Sequence, residues 1–322
     1  MLIATLPTYV CEKDLDVAEK VLATPQIQAA RYNSGGASPL PPLHILKKLK
    51  HLADSHSKKL YIDLEGRQVR VAHWTPMSRG VVQLNRKFEL ELPGSVFFRG
   101  AGWCEITNFD AEQSKIYFEP RHGRNEYFFG EGQSAHVVAK CFKVESYLSE
   151  NDLRYIEAAC QVGITNFMLS FVEEIADLGV FRQVFISHAN STSDLEVVLK
   201  IESPAGVNLI KSYPSIVTHW LCNLMAARDD LFLGYDGHHH LLVPALKTII
   251  NADPQAIVAS RLLSGLERGS EISMSDISDA VLMSQLGYTN FMFSDELAFK
   301  IDQASEAWQS IISPNIDSMK GV

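Results

Sequence analysis

The sequence has no apolar run approaching the ~18 residues of a membrane-spanning helix. Its first residues, Met1-Leu2-Ile3-Ala4-Thr5, also lack the basic-then-apolar layout of a secretion signal. Cysteine is scarce and odd in number: Cys11, Cys104, Cys141, Cys160 and Cys222 lie scattered, with no C-x-x-C pair. That excludes a disulfide scaffold or a thiolate zinc framework, and reduced thiols in a cytoplasmic protein are expected. Basic residues are outnumbered, 29 against 38 acidic ones, and the net charge of −9 argues against nucleic acid as the main partner. There is no fixed-period repeat and no low-complexity tract. What is present is ample core material: 46% hydrophobic and 21% charged residues over 322 positions, enough for two domains or one large domain with an insertion.

Short apolar runs alternate with helix-length segments. Residues 2–6 read as strand, and 14–23 as a helix with Leu15, Ala18 and Leu22 on one face. Residues 27–32 are strand-like and end in the breaker Asn33-Ser34-Gly35-Gly36. Residues 43–53 form a second amphipathic helix and 60–63 a third strand. From about Val71 to about Val144 the period changes to two: Phe88, Leu90 and Leu92 alternate with Lys87, Glu89 and Glu91. Such runs, punctuated by Pro93-Gly94, Gly100, Gly130 and Gly132, predict a small antiparallel sheet or barrel, with Trp74 and Trp103 in its core.

The β/α rhythm resumes at Ser149, a helix N-cap by type. Strands are expected at 164–171, 195–201, 222–227, 256–259 and 290–293, and helices at 152–162, 173–178, 206–212, 241–250, 275–285 and 297–312. Eight strands with helices between them, once the alternating stretch is removed, match the ~250 residues of a (β/α)8 TIM barrel. An open doubly wound sheet is disfavoured because no G-x-G-x-x-G follows any strand. The expected organisation is a barrel from 1–72 and 146–322, with a small β-barrel or lid inserted over 73–145.

Reactive groups of such a barrel sit at the carboxyl ends of its strands. Those ends read Arg31-Tyr32-Asn33, Asp63-Leu64-Glu65, Ser170-Phe171, Lys200-Ile201-Glu202, Arg228-Asp229-Asp230, Ser260-Arg261 and Ser294-Asp295-Glu296. Lys200 and Glu202 are two residues apart on one strand, so both project inward while Ile201 faces the helices. Asp230 arrives from the next strand end. Two carboxylates with open positions suit Mg²⁺ or Mn²⁺, and an ammonium beside them suits an enolate or a transferring phosphoryl group. The competing reading is a buried ion pair that only ties two strands together.

The same residues resemble those of the pyruvate kinase family. LKIESPAGVN (199–208) is similar to its K-I-E-x-x-x-G-V, LMAARDDL (224–231) to M-V-A-R-G-D-L-G, and ARYNSG (30–35) to A-R-x-N-F-S. DLEGRQVR (63–70) resembles L-D-T-K-G-P-E-I-R, and LSEND (148–152) resembles L-S-E-K-D, where the family returns to its barrel. The insertion also falls after the third strand, as in that family.

The resemblance implies that Lys200 neutralises charge on the phosphoryl group and enolate oxygen, and that Glu202 and Asp230 ligate Mg²⁺ or Mn²⁺. Arg31 and Arg70 would contact phosphate oxygens, and Asn33 and Asp63 would belong to a monovalent cation site. Ser260, where the family has Thr, would orient substrate or deliver a proton. Glu296 matches the last barrel carboxylate. Independently of the resemblance, Phe171 at the fourth strand end would stack on substrate or cap the barrel. The departures are specific. Gly35 and Gly36 replace Ser and His, and Leu64 and Glu65 replace Thr and Lys, which removes expected K⁺ ligands. Asp229 replaces a Gly near the substrate carboxylate, weakening anion binding unless it turns away or pairs with Arg228, and Arg261 offers compensating positive charge. No counterpart of the family's C-terminal domain is expected after the last barrel helix.

The expected activity is phosphoryl transfer between phosphoenolpyruvate and ADP, giving pyruvate and ATP in glycolytic fashion. One alternative is metal-dependent enolpyruvate or oxaloacetate chemistry at carbon, as in a decarboxylase or aldolase. Another is a non-catalytic pyruvate kinase-like binding protein. A monomer or homodimer is expected. His238-His239-His240 reads as a solvated loop, since adjacent residues cannot converge on one ion.

Overall fold

The computed structural model describes residues 1–119, 127–189, 191, 193–236 and 238–319, with backbone alone for 313–319. Parallel strands β1 (Leu2–Thr5), β2 (Ala29–Asn33), β3 (Lys59–Leu64), β4 (Asn166–Leu169), β5 (Glu196–Ile201), β6 (Cys222–Ala227), β7 (Ile257–Ala259) and β8 (Asn290–Phe293) form a closed barrel. Each strand pairs with its sequence neighbours, and β1 closes on β8 through Leu2↔Phe291 and Ala4↔Phe293. Helices surround it, and the fold is the expected (β/α)8 barrel.

Strand side chains alternate between two faces. The outward set, including Ala30, Ile62, Phe167, Leu199, Ile201, Leu224 and Val258, packs against the helices in the main core. The inward set, Ile3, Ala29, Tyr61, Met168, Val198, Met225, Ile257, Ala259 and Met292, forms a separate buried plug inside the barrel. Bulky residues fill the interior, so it is a packed core and not a pore.

Ser149 is a helix N-cap as expected. Its Oγ accepts from Asp152 N at 2.9 Å and the Asp152 carboxylate accepts from Ser149 N, a capping box opening the helix Glu150–Gln161. The helix predicted to end near 178 instead spans Ile175–His188. Phe181 and Phe185 are buried while Val180 and Ile186 are exposed, so apolar residues on several faces blur the 3.6-residue period.

Between β3 and β4 the chain builds a six-stranded antiparallel sheet in the order Val69–Arg70, Ser134–Val144, Phe88–Phe98, Gly102–Asp110, Lys115–Phe118, Val81–Gln83. Thr75–Pro76 and Phe128–Phe129 make a second, two-stranded sheet. The alternation holds at Phe88 and Leu90, which are buried, but Leu92 is 42% exposed. A register shift between Ala139 and Cys141 on the facing strand explains the slip, because a bulge rotates side chains to the other face. The tryptophans are a correction. Trp74 is 70% exposed and Trp103 packs on Phe97, while the core is built by Phe88, Phe98, Phe118 and Phe129. Trp103 has the opposite strand parity to the buried Cys104 and Ile106. No helix among the described residues is long and apolar enough to cross a membrane.

Candidate active site

One step of two residues beyond the plug, the barrel interior changes character. Ile3 is followed by Thr5, Ala29 by Arg31, Tyr61 by Asp63, Met168 by Ser170, Val198 by Lys200 and Met292 by Ser294. All these second residues line a cleft of about 400 Å³ at the carboxyl ends of the strands. The alternation that places a plug residue inside places its successor-but-one in the mouth.

Lys200 lies at the centre of the mouth. Its Nζ is 3.0 Å from Asp63 Oδ2 and 3.1 Å from Glu202 Oε1, and it donates to Ser170 Oγ at 2.8 Å. Ser170 donates in turn to Asp63 Oδ1 at 3.2 Å. Arg31 donates through Nε to Asp63 Oδ2 at 2.7 Å, with a second guanidinium nitrogen at 2.5 Å. Burial alone would lower the Lys200 ammonium, but Asp63 and Glu202 raise it above its ordinary value. Burial would likewise raise Asp63, yet Arg31 and Lys200 hold it low. Glu202 is raised, by burial first and then by the nearby Asp230 and Asp63 charges, against the pull of Lys200.

Glu202 and Asp230 both line the cleft, and their charges act on each other. Glu202 Oε2 accepts from Phe171 N at 2.8 Å, and Asp230 Oδ1 lies 3.5 Å from His136 Nδ1. Glu202 and Asp230 offer two carboxylates, hard oxygen donors of the kind that would hold Mg²⁺ or Mn²⁺. Among the described residues no cluster of three or more His, Cys, Asp or Glu side chains is placed to hold a metal ion. Asn33, level with Asp63 in the β2–β3 register, turns its Oδ1 to Gly35 N at 3.1 Å. Both Asp63 oxygens are contacted from inside the protein, by Arg31, Lys200 and Ser170.

Arg70 reaches the cleft from the first strand of the inserted sheet. Its guanidinium lies 2.8 Å from Glu65 Oε1, donates to Gly132 O at 2.8 Å and bonds Gln68. Glu65, which stands where the related motif has Lys, also accepts from Ser149 Oγ at 2.8 Å. Asp229 turns away from Arg228 and pairs instead with Arg261 and, at 3.3 Å, with Arg99. Arg228 is committed elsewhere. It grips Asp279 at 2.5 and 2.9 Å and the carbonyls of Ala259 and Ser260. That grip holds the segment after β7, where Ser260, Arg261 and Leu263 adopt positive φ of 70°, 61° and 54°. Backbone strain of this kind costs ~1–3 kcal/mol per residue and persists only where the surroundings enforce it. Ser260 and Glu296 line the cleft, the latter 3.7 Å from Arg99.

Thus Lys200, Ser260, Arg31, Arg70, Asp229, Glu202, Asp230, Asn33, Asp63 and Glu296 come together in one cleft. Phe171 does not. Its ring lines a neighbouring cavity of about 300 Å³ and packs on His136 at 6.0 Å, and only its backbone N–H serves the mouth, from a φ of 50°. Thr5, Gln68, Arg99, Gln133 and Glu267 were missed from the sequence. Thr5 was legible as the residue two beyond Ile3. Arg99 and Gln133 carry no such signal, because docking of the inserted sheet brings them in. The His238–His240 stretch is exposed, with His239 stacked on Phe232 at 3.8 Å.

No protein-family model matches this chain. Over 156 residues it is 26% identical to a pyruvate kinase of Mycoplasma genitalium, an alignment covering 47% of this chain and 29% of that protein. The chain therefore spans under a third of the relative it matches. The likeness supports a distant, pyruvate kinase-like relationship.

Proposed function

We propose that the chain catalyses metal-dependent phosphoryl transfer between phosphoenolpyruvate and ADP, as a pyruvate kinase-like enzyme. The observation that carries this reading is Lys200. A buried ammonium within 3.1 Å of two carboxylates, opening on a polar cleft beside Asp230, is a device for stabilising negative oxygen. Glu202 and Asp230 would hold Mg²⁺ or Mn²⁺, which when bound supplies Lewis-acid stabilisation of phosphoryl and enolate oxygens.

In this reading Arg31 and Arg70 orient the phosphoryl oxygens. A terminal phosphate oxygen of ADP attacks phosphorus and the bond to the enol oxygen breaks. Lys200 neutralises the enolate oxygen that departs, and the enolate then takes a proton at its methylene carbon to give pyruvate. Ser260, held by the Arg228 grip on its carbonyl, orients substrate at the side where that proton arrives. The inserted sheet, which contacts the barrel rim through Arg99, closes over the cleft and excludes water.

One observation favours a second reading, enolate chemistry at carbon in place of phosphoryl transfer. Both arginines assigned to phosphate are already neutralised, Arg31 by Asp63 and Arg70 by Glu65. The test mixes purified protein, Mn²⁺ or Mg²⁺ and phosphoenolpyruvate with and without ADP. ATP formation that is abolished in Lys200→Ala supports the first reading. Metal-dependent exchange of pyruvate methyl protons with solvent, without ATP, replaces it with the second.

A further inference from the structure

We propose that His136 is a positioning residue for the divalent cation. From the inserted sheet it holds the Asp230 carboxylate, so that cation binding depends on the sheet being docked on the barrel mouth. The inference rests on the metal reading of Glu202 and Asp230 and extends it to a residue outside the barrel.

His136 lies on the strand Ser134–Val144, opposite Phe97 in the register, and that strand packs against the short helix Arg228–Gly234 that carries Asp230. Its side chain is only 10% exposed, and its Nδ1 is 3.5 Å from Asp230 Oδ1. The ring also packs on Phe171, with centroids 6.0 Å apart, the residue whose backbone N–H donates to Glu202 Oε2. One imidazole from the inserted sheet thus touches one proposed ligand directly and the other through a single intermediate. With its proton on Nδ1 the ring would donate to Asp230 Oδ1 and restrain the rotation of that carboxylate. Outer groups of this kind set ligand orientation, and their loss typically costs ~10–100-fold in metal affinity. The coupling runs both ways: a cation that needs His136 in place also holds the inserted sheet against the barrel.

The competing account is that the ring only fills space against Phe171. His136→Phe keeps that packing and removes the donor, whereas His136→Gln keeps a donor and gives up the aromatic contact. Mn²⁺ affinity of the 322-residue chain is read by electron paramagnetic resonance of the free ion, without substrate. Hydrogen exchange of residues 134–144 is followed with and without Mn²⁺, after thermal melts show that each variant folds. The expected result is binding at least about tenfold weaker in His136→Phe, largely restored in His136→Gln, with Mn²⁺-dependent protection of 134–144 lost in the first and kept in the second. Wild-type affinity in His136→Phe, or equal weakening in both variants, overturns the inference while leaving the metal reading standing. A wild-type protein that binds no Mn²⁺ overturns the metal reading itself, and this inference with it.

Discussion

The guanidinium of Arg70 occupies the space where a Cβ on Gly35 would stand, closer than any real Cβ approaches another group. Gly35 lies in the breaker after β2, and Arg70 arrives from the inserted sheet, so this contact joins the two parts of the molecule at the cleft. Arg70 has little room to retreat, since Glu65, Gln68 and Gly132 hold it on the other side.

Gly35→Ala is therefore expected to displace Arg70 without breaking the fold. The strain is of the ~1–3 kcal/mol size typical of overpacking. It should appear as a roughly tenfold or larger rise in the KM for phosphoenolpyruvate, with a small change in Tm. Steady-state kinetics and a thermal melt check both, and an unchanged KM would remove Arg70 from substrate binding.

Lys200→Met leaves Asp63 and Glu202 buried around a missing cation. Breaking a buried ion pair by removing one partner costs ~3–5 kcal/mol. The variant should lose stability by about that amount in urea unfolding as well as losing activity. Arg31 still faces Asp63, so Glu202 is the carboxylate left without a partner cation. The double variant Lys200→Met with Glu202→Gln should regain part of the stability and none of the activity.

Glu202→Gln and Asp230→Asn each remove one anionic oxygen ligand. Each should weaken Mn²⁺ binding at least about tenfold, since hard divalent cations are held by carboxylate charge. Titration calorimetry without substrate measures this. Asn33→Ala, by contrast, should leave Mn²⁺ affinity unchanged.

Asp276, which does not line the cleft, predicts a pH dependence of stability. Burial by itself would raise its carboxyl, but donors outweigh it: Ser273 N at 2.7 Å, Ser273 Oγ at 2.8 Å and Gly265 N at 3.1 Å hold it below its ordinary value. A carboxyl lowered by folding stabilises above its unfolded value and loses that contribution as pH falls through its folded value. The Tm gap between wild type and Asp276→Asn should be widest near neutrality and close in the acid range below pH ~4.

Much of the site was legible because strand periodicity is local. Lys200 and Glu202 share a face by their two-residue spacing, Arg31 and Asp63 stand at strand ends, and all four line the cleft of the closed barrel. The same reasoning failed for Phe171, whose positive φ rotates it out of the strand pattern. It also failed for the tryptophans, since alternation marks two faces without saying which one is buried.

By itself the sequence determined the order of the barrel strands, the stretch where two-residue alternation interrupts them and the polar residues at their carboxyl ends, because apolar runs and side-chain alternation are local. Only the tertiary structure decided the partners: Arg31 with Asp63, Arg70 with Glu65, Asp229 with Arg261, and His136 with Asp230. The reason is physical. A carboxylate takes whichever cation the packing of distant segments brings within ~4 Å, and that packing leaves no periodic trace in the chain.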